Sequence, residues 1–373
     1  MGSRQATLLA LGIGIAVLAL VLWPRPHWET HSGDTMGTTY HVTWSWSGRA
    51  SAGDRLRQEI DRELVQVNEQ MSSYLEDSEI RRFEEAPAGS WFEVSPETRD
   101  VVAEALEVAR ITDGAFDPTV SPLVRLWGFG RDGRRTTAPD SSEVRAAMSR
   151  VGWNRIEVQP DPPALRRTDD AIGLDLSAIA KGHGVDRICA VLESAGSESY
   201  LVEIGGEVRV HGAGPHGDWR VALEWPEDGG SEGRMETLLL ADGAVATSGT
   251  YLNRFVSGGT PYHHVIDPRT GYPAGHATAQ VTVFAETCQT ADARATALLV
   301  LGEEAGLALA EREHWAARFI AWTPSSEEPD AGGRPGRRSA GPDARSAEAE
   351  GRWREIVSTE FARLERRDGG AAR

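Results

Sequence analysis

Cysteine is almost absent: Cys189 and Cys288 are the two in 373 residues, and they fall in separate segments. A disulfide scaffold or a thiolate zinc site needs more than that, and two small buried apolar side chains account for the pair. Basic charge is also short. Lys and Arg number 39 against 56 Asp and Glu, a net charge of −17, which excludes the basic footprint of a nucleic-acid-binding protein. It leaves local anion sites open. No fixed-period repeat is present, so solenoids and propellers are excluded. GxxxxGK[ST] and GxSxG are missing as well, which removes a P-loop and makes Ser248 a poor candidate for a serine nucleophile.

What is present is a globular composition, 40% hydrophobic and 25% charged with 40 glycines, enough for a sizeable core with many turns. One uncharged run, Ala6 to Trp23, follows Arg4. At about 1.5 Å per residue it makes about 27 Å of helix, close to the ~30 Å hydrocarbon core. It reads as a signal-anchor helix over residues 1–23. Cleavage as a signal peptide is the alternative, and the bulky WPRPHW that follows lacks a small-residue cleavage site. Residues 24–34 read as a tether, and the globular part as residues 35–367. Pro324 to Gly351 is rich in Pro, Gly, Ser and charge and reads as a disordered insertion, and 368–373 as a tail.

Helical spacing marks Asp54 to Met71, Pro96 to Thr112, Ser142 to Ser149, Ile179 to Ala195, and Ala291 to Leu301 followed by Glu303 to Arg312. Strand patterns mark Thr39 to Trp46, Tyr200 to Ile204, Val208 to His211, Trp219 to Trp225, Thr237 to Leu240 and Arg318 to Trp322. Strands adjoin strands more often than in a βαβ alternation. The pattern predicts an α+β fold.

Five stretches combine glycine, acids and hydroxyls in ways a core does not require. They are Met36–Tyr40, Met71–Glu79 (with Tyr74), Gly114–Val120, Asp175–Gly182, and a long region from Thr247 through His263-His264-Val265-Ile266-Asp267-Pro268-Arg269-Thr270-Gly271 to Thr296. Asp292 and Thr296 stand four apart on one helix face. A carboxylate and a hydroxyl are hard ligands that suit Mg²⁺; helix-dipole complementation by Asp292 is the bland alternative. His264 beside Asp267 could be an acid/base group with its orienter, or part of a tight turn. Lys181-Gly182 resembles an anion-binding helix start. Gly205-Gly206 permits close approach to a flat ligand, or is only a turn.

In order and together, these stretches resemble the ApbE family, the FAD:protein FMN transferases, over about Thr35 to Trp322. The resemblance implies a single catalytic domain with mixed, largely antiparallel sheets and packed helices. It implies that Met36, Tyr74, Ala115, Phe116, Asp117, Asp175, Lys181, Val265 and Ile266 contact FAD. Asp292, Thr296 and the Ala178 carbonyl would hold Mg²⁺, with His264 and Asp267 as catalytic groups. The implied reaction moves FMN from FAD to a Thr or Ser hydroxyl of an acceptor protein bearing D-G-x-[ST]-G-A-[ST], releasing AMP. It also implies a domain on the periplasmic side of a bacterial inner membrane, anchored by the N-terminal helix. Glu203 departs from the family's asparagine, Thr250 from a common acid, and no lipid-bearing cysteine is present. A metal-dependent FAD pyrophosphatase and a non-catalytic flavin-binding maturation protein are the competing readings.

Overall fold

The computed structural model describes residues 27–46, 50–131, 133–226, 234–251, 253–324 and 351–367. The proposed anchor, residues 1–23, the interior of the 324–351 insertion and the 368–373 tail lie outside the described residues. Among the described residues, no helix is long and apolar enough to cross a membrane.

The chain opens with strands β1 (His27–Thr35) and β2 (Thr38–Trp46), then helices α1 (Ala50–Met71) and α2 (Glu79–Glu85). Next come β3 (Phe92–Glu93), α3 (Pro96–Ile111), α4 (Ser121–Leu126) and α5 (Ser141–Met148). Strands β4 (Ile156–Gln159) and β5 (Ala164–Arg167) precede α6 (Ala180–Ser194). A strand-rich half follows: β6 (Tyr200–Ile204), β7 (Glu207–His211), β8 (Trp219–Glu224), β9 (Met235–Leu240), β10 (Gly243–Gly249), β11 (Arg254–Ser257), β12 (Thr260–His263), β13 (Ile266–Asp267), β14 (Tyr272–Pro273) and β15 (Thr278–Ala285). The chain closes with α7 (Cys288–Arg312), β16 (Ala316–Pro324), β17 (Gly351–Val357) and α8 (Thr359–Arg367).

Eight strands form the main sheet in the order β1-β2-β6-β7-β10-β15-β16-β17, and every neighbouring pair in it is antiparallel. The expected α+β architecture with antiparallel sheets is what the chain adopts. Smaller sheets, β3-β5-β4, β8-β9, β11-β12 and β13-β14, decorate it.

The tether expectation fails in part, because residues 27–35 are the edge strand of the main sheet, paired with β2 from His27↔Trp46 to Thr35↔Thr38. Their polar composition hides them: an edge strand faces solvent on one side and needs few apolar residues. The turn between β1 and β2 is Met36-Gly37, both at positive φ (49° and 76°), the geometry of a two-residue hairpin. For methionine that conformation is strained, and its side chain is anchored in return: a Cβ on Gly184 would lie 2.8 Å from the Met36 methyl.

Sequence signals explain the helix that follows the second motif. Ser95 caps α3 by accepting from the Thr98 N–H, and Pro96 sits in its first turn. Val101, Val102, Ala105, Val108 and Ala109 line its buried face. Gly114, at φ 75°, lets its N–H reach the Ala109 carbonyl at 2.9 Å and ends the helix.

Helix α7 is the central element. It packs on β10 and β15 along one side and on α6 and α3 along another. Small side chains make that crowding possible: Ala291, Ala293, Ala295 and Ala297 are fully buried. Gly182 on α6 meets the start of α7 so closely that a Cβ there would collide with the Cys288 carbonyl. Asp186 fixes the same junction, its carboxylate accepting from the Cys288 N–H (3.1 Å) and the Gln289 N–H (2.9 Å). Sequence periodicity divides this helix at Gly302, and the structure has a kink there (φ 76°, ψ 177°).

Candidate active site

Four of the five motif stretches converge on the first half of α7. Ala115 and Val265 pack in one core cluster with Ala291 and Ala295. Phe116, Ile179 and Ala180 pack in another with Ala293 and Ala297, and Ala178 and Met36 lie against it. The third and fourth stretches are joined directly, the Asp175 N–H donating to the Pro118 carbonyl at 2.6 Å.

The first turn of α6 and α7 together build a buried charge cluster. Asp292 is 2% exposed. Its Oδ2 accepts from the Gly182 N–H at 3.0 Å, and its Oδ1 lies 3.6 Å from the Lys181 ammonium. The same ammonium is 2.9 Å from Glu207 Oε1. Burial works against the Lys181 charge, but the carboxylates of Asp292 and Glu207 outweigh it and hold its pKa above the ordinary lysine value. Burial also pushes the Glu207 carboxyl up, with Lys181 pulling the other way. One turn along α7, Thr296 Oγ1 is 3.0 Å from the Ser248 hydroxyl. Asp292, Thr296 and Ser248 thus offer hard oxygens with no sulfur or imidazole among them, a donor set that fits Mg²⁺.

Lys181, expected to contact the dinucleotide, bridges the proposed metal ligand and a second acid. Glu207 was not legible as a site residue. It follows the Gly205-Gly206 turn of a β-hairpin (φ 57° and 100°), a place where an acid is normally solvated, and only the packing of α6 across the sheet buries it.

His264 leaves β12 with its backbone N–H on the Asn253 carbonyl at 3.0 Å. Its Nδ1 is buried and has no hydrogen-bond partner. Burial lowers its pKa below the usual 6.5; the Asn253 carbonyl opposes this, and the nearby Lys181 charge adds to it. The imidazole is thus neutral near pH 7, in the form that accepts a proton.

Asp267 does not orient it. Its carboxylate takes a bidentate pair from Arg269, Nε to Oδ1 and Nη2 to Oδ2, both at 2.9 Å, with the Arg269 N–H at 3.0 Å. Its carbonyl closes the turn on the Gly271 N–H at 2.8 Å. The sequence reading of Asp267 as a catalytic group gives way to a turn-forming role, because its partner stands two residues along the chain. Asp267→Asn is expected to cost about 1 kcal/mol of stability and to lower transfer less than tenfold. A catalytic base would lose far more, so a thermal melt beside a rate measurement checks the assignment.

Asp117 is likewise committed within its own loop. Oδ1 accepts from the Thr119 N–H (2.7 Å) and hydroxyl (2.6 Å), and Oδ2 from the Trp153 N–H (3.1 Å). It shapes the wall that presents Ala115 and Phe116. Tyr74, by contrast, is 66% exposed and lines a cavity with Asp175, Ser177 and Phe129. Ile266 is buried with Leu123, Trp127 and Val144, supporting the site from behind.

The model of the ApbE family matches residues 36–319. This chain belongs to the ApbE family. Among its relatives, the FAD:protein FMN transferase of Vibrio cholerae is 41% identical over 298 residues, 79% of this chain and 88% of the relative. That of Haemophilus influenzae is 38% identical over 294 residues, 78% and 85% of the two chains. The solved flavin transferase ApbE from Vibrio cholerae superposes with a TM-score of 0.76 at 36% identity, covering 91% of this chain and 99% of that one. Pseudomonas stutzeri flavinyl transferase ApbE, in its apo form, gives 0.77 at 35% identity, covering 93% and 98%.

In this ApbE-family chain the departures in sequence have structural roles of their own. Glu203 Oε1 accepts from the Gly206 N–H at 2.7 Å and Oε2 pairs with His41 Nδ1 at 2.9 Å, so it braces the double-glycine turn. Thr250 donates its N–H to the Ala279 carbonyl at 2.9 Å.

Proposed function

We propose that this protein is an enzyme that transfers FMN from FAD to a Thr or Ser hydroxyl of an acceptor protein. It is a transferase: the hydroxyl oxygen bonds to the FMN-side phosphorus, the pyrophosphate bond breaks, and AMP leaves with the bridging oxygen. The pair of half-buried Lys181 with buried Asp292, at the junction of α6 and α7 in a chain whose relatives are FAD:protein FMN transferases, carries this reading.

Little covalent chemistry is required of the protein in phosphoryl transfer; position and charge are what it supplies. Lys181, held between two carboxyls, faces the site as a fixed cation for phosphoryl oxygens. His264, half-buried and with its pKa lowered by that burial, takes the proton of the attacking hydroxyl. Tyr74, Asp175 and Ser177 line the wall on which the dinucleotide lies. Asp292, Thr296 and the Ala178 carbonyl would hold Mg²⁺, which, when bound, offsets the negative charge of the pyrophosphate. The acceptor segment is of the D-G-x-[ST]-G-A-[ST] type, and the domain works on the periplasmic side of a bacterial inner membrane with residues 1–23 as anchor.

The test uses the full chain in detergent, with FAD, Mg²⁺ and an acceptor carrying that segment. Covalent flavin fluorescence on the acceptor in a denaturing gel is the expected result. Free FMN and AMP with an unlabelled acceptor would instead make the enzyme a pyrophosphatase, and neither product would overturn the catalytic reading.

A further inference from the structure

The imidazole of His264 lacks a carboxylate orienter, since Asp267 is paired with Arg269 and Nδ1 makes no hydrogen bond. The polar group that reaches the imidazole is the Asn253 carbonyl, and one carbonyl leaves the ring plane free to tilt. Against it stands the Phe129 ring, edge-on with centroids 6.3 Å apart and planes at 68°, an arrangement aromatic rings favour.

Phe129 is itself locked. It lies tilted at 5.7 Å against Phe255 of β11, and Phe255 stacks at 5.5 Å on Tyr262 of β12. Tyr262 meets Trp127 at 5.0 Å, and Trp127 meets Tyr272 at 5.7 Å. The Trp127 indole N–H donates to the Gly271 carbonyl at 2.8 Å, tying the string of rings to the turn that follows His264. Backbone geometry fixes the start of the string. Gly128 sits at φ 79°, and a Cβ there would collide with the Arg135 backbone, while the Phe129 N–H bonds to the Val124 carbonyl at 3.0 Å. Phe129 also lines the cavity shared by Tyr74, Asp175 and Ser177. It therefore stands between the wall proposed for the dinucleotide and His264.

We propose that Phe129 is a positioning residue of His264, its ring fixing the plane of the imidazole beside the Asn253 carbonyl, in the place of the carboxylate of an acid–histidine dyad. This rests on His264 being the base, as proposed above. An aromatic orienter differs from a carboxylate in consequence: it fixes the ring without stabilising the imidazolium, and it keeps water off Nδ1. The charged group that acts on the ring is Lys181 on α6; the neighbouring His263 of β12 is itself held neutral by burial, and Asp267 of β13 and Arg269 just after it neutralise each other.

The experiment compares Phe129→Leu, Phe129→Tyr and His264→Gln in the full chain, each with rates across pH and with NMR of histidine labelled at Cε1. Phe129→Leu keeps an apolar volume but has no flat edge. It is expected to lower kcat by about 10–100-fold, the size of a misplaced catalytic group. The His264 titration midpoint should rise toward 6.5, and the acid limb of the pH–rate profile should move up with it. Phe129→Tyr should restore both. A Phe129→Leu protein with the unaltered midpoint and profile overturns the proposal, even if kcat falls, because a purely structural role moves neither. Full activity in His264→Gln overturns the base assignment instead, and the midpoint in Phe129→Leu still reports separately whether the ring is held.

Discussion

Asp292→Asn should leave a folded protein that labels no acceptor, with transfer down by more than about a thousandfold. The change removes one charge and almost no volume, and the new amide oxygen can still accept from the Gly182 N–H that Oδ2 now receives at 3.0 Å. Helix α6 stays docked on α7. What is lost is the anionic oxygen that faces Lys181 and would ligate the metal, and a group that stabilises charge in a water-poor site commonly carries several kcal/mol of the barrier. Asp292→Ala is the less informative variant. It strips the Gly182 N–H of its partner, so inactivity could reflect a shifted helix. Circular dichroism melts and in-gel flavin fluorescence decide the matter: a folded, fully active Asp292→Asn protein would sink the metal assignment.

The second large effect is expected from Lys181→Met. Methionine matches the stem of the lysine but leaves the carboxyls of Asp292 and Glu207 facing each other in a buried place, at 2% and 3% exposure. Removing one member of a buried ionic cluster costs about 3–5 kcal/mol, a fall in Tm on the order of 10 °C for a domain of this size. The sign with pH follows from Glu207, whose pKa burial raises. A carboxyl with a raised folded-state pKa contributes stability at low pH and loses it as pH rises through that value. The Tm deficit of Lys181→Met should therefore be smaller at pH 5.5 than at pH 8. A deficit independent of pH would mean that the lysine does not shield these acids. Transfer should be abolished at every pH, since methionine offers nothing to a phosphoryl oxygen.

Local pattern made much of this architecture legible. Helix α3 announces itself through a capping serine, a first-turn proline, a periodic apolar face and a terminating glycine, all within its own sequence. Asp292 and Thr296 were readable as a pair because helical spacing fixes their shared face. Residues whose role depends on distant chain were not. Glu207 becomes a buried acid only because α6 lays Lys181 over it, and Ser248 meets Thr296 only through the register of β10 against α7. Phe129 gave no signal, since an aromatic after a glycine looks like ordinary core. The opposite error arose at Asp267. Proximity in sequence to His264 suggested a dyad, whereas the nearer Arg269 had already claimed the carboxylate. The polar residues of β1 look like linker, and a fragment begun at Thr35 would discard all but the last residue of the edge strand.

That edge strand has a consequence for the acceptors if the proposed anchor holds residues 1–23 in a membrane. Between Trp23, which ends the apolar run, and His27, where β1 begins, stand Pro24, Arg25 and Pro26 alone. Fully extended, that is about 10 Å of chain, and the two prolines resist coiling. If the run is held in a bilayer, the leash is a few residues long. The enzyme then glides along the headgroups rather than swinging through the compartment, and its search is two-dimensional. Acceptors resident in the same membrane would be met at a high effective concentration, whereas a soluble one would have to come down to the surface to be labelled.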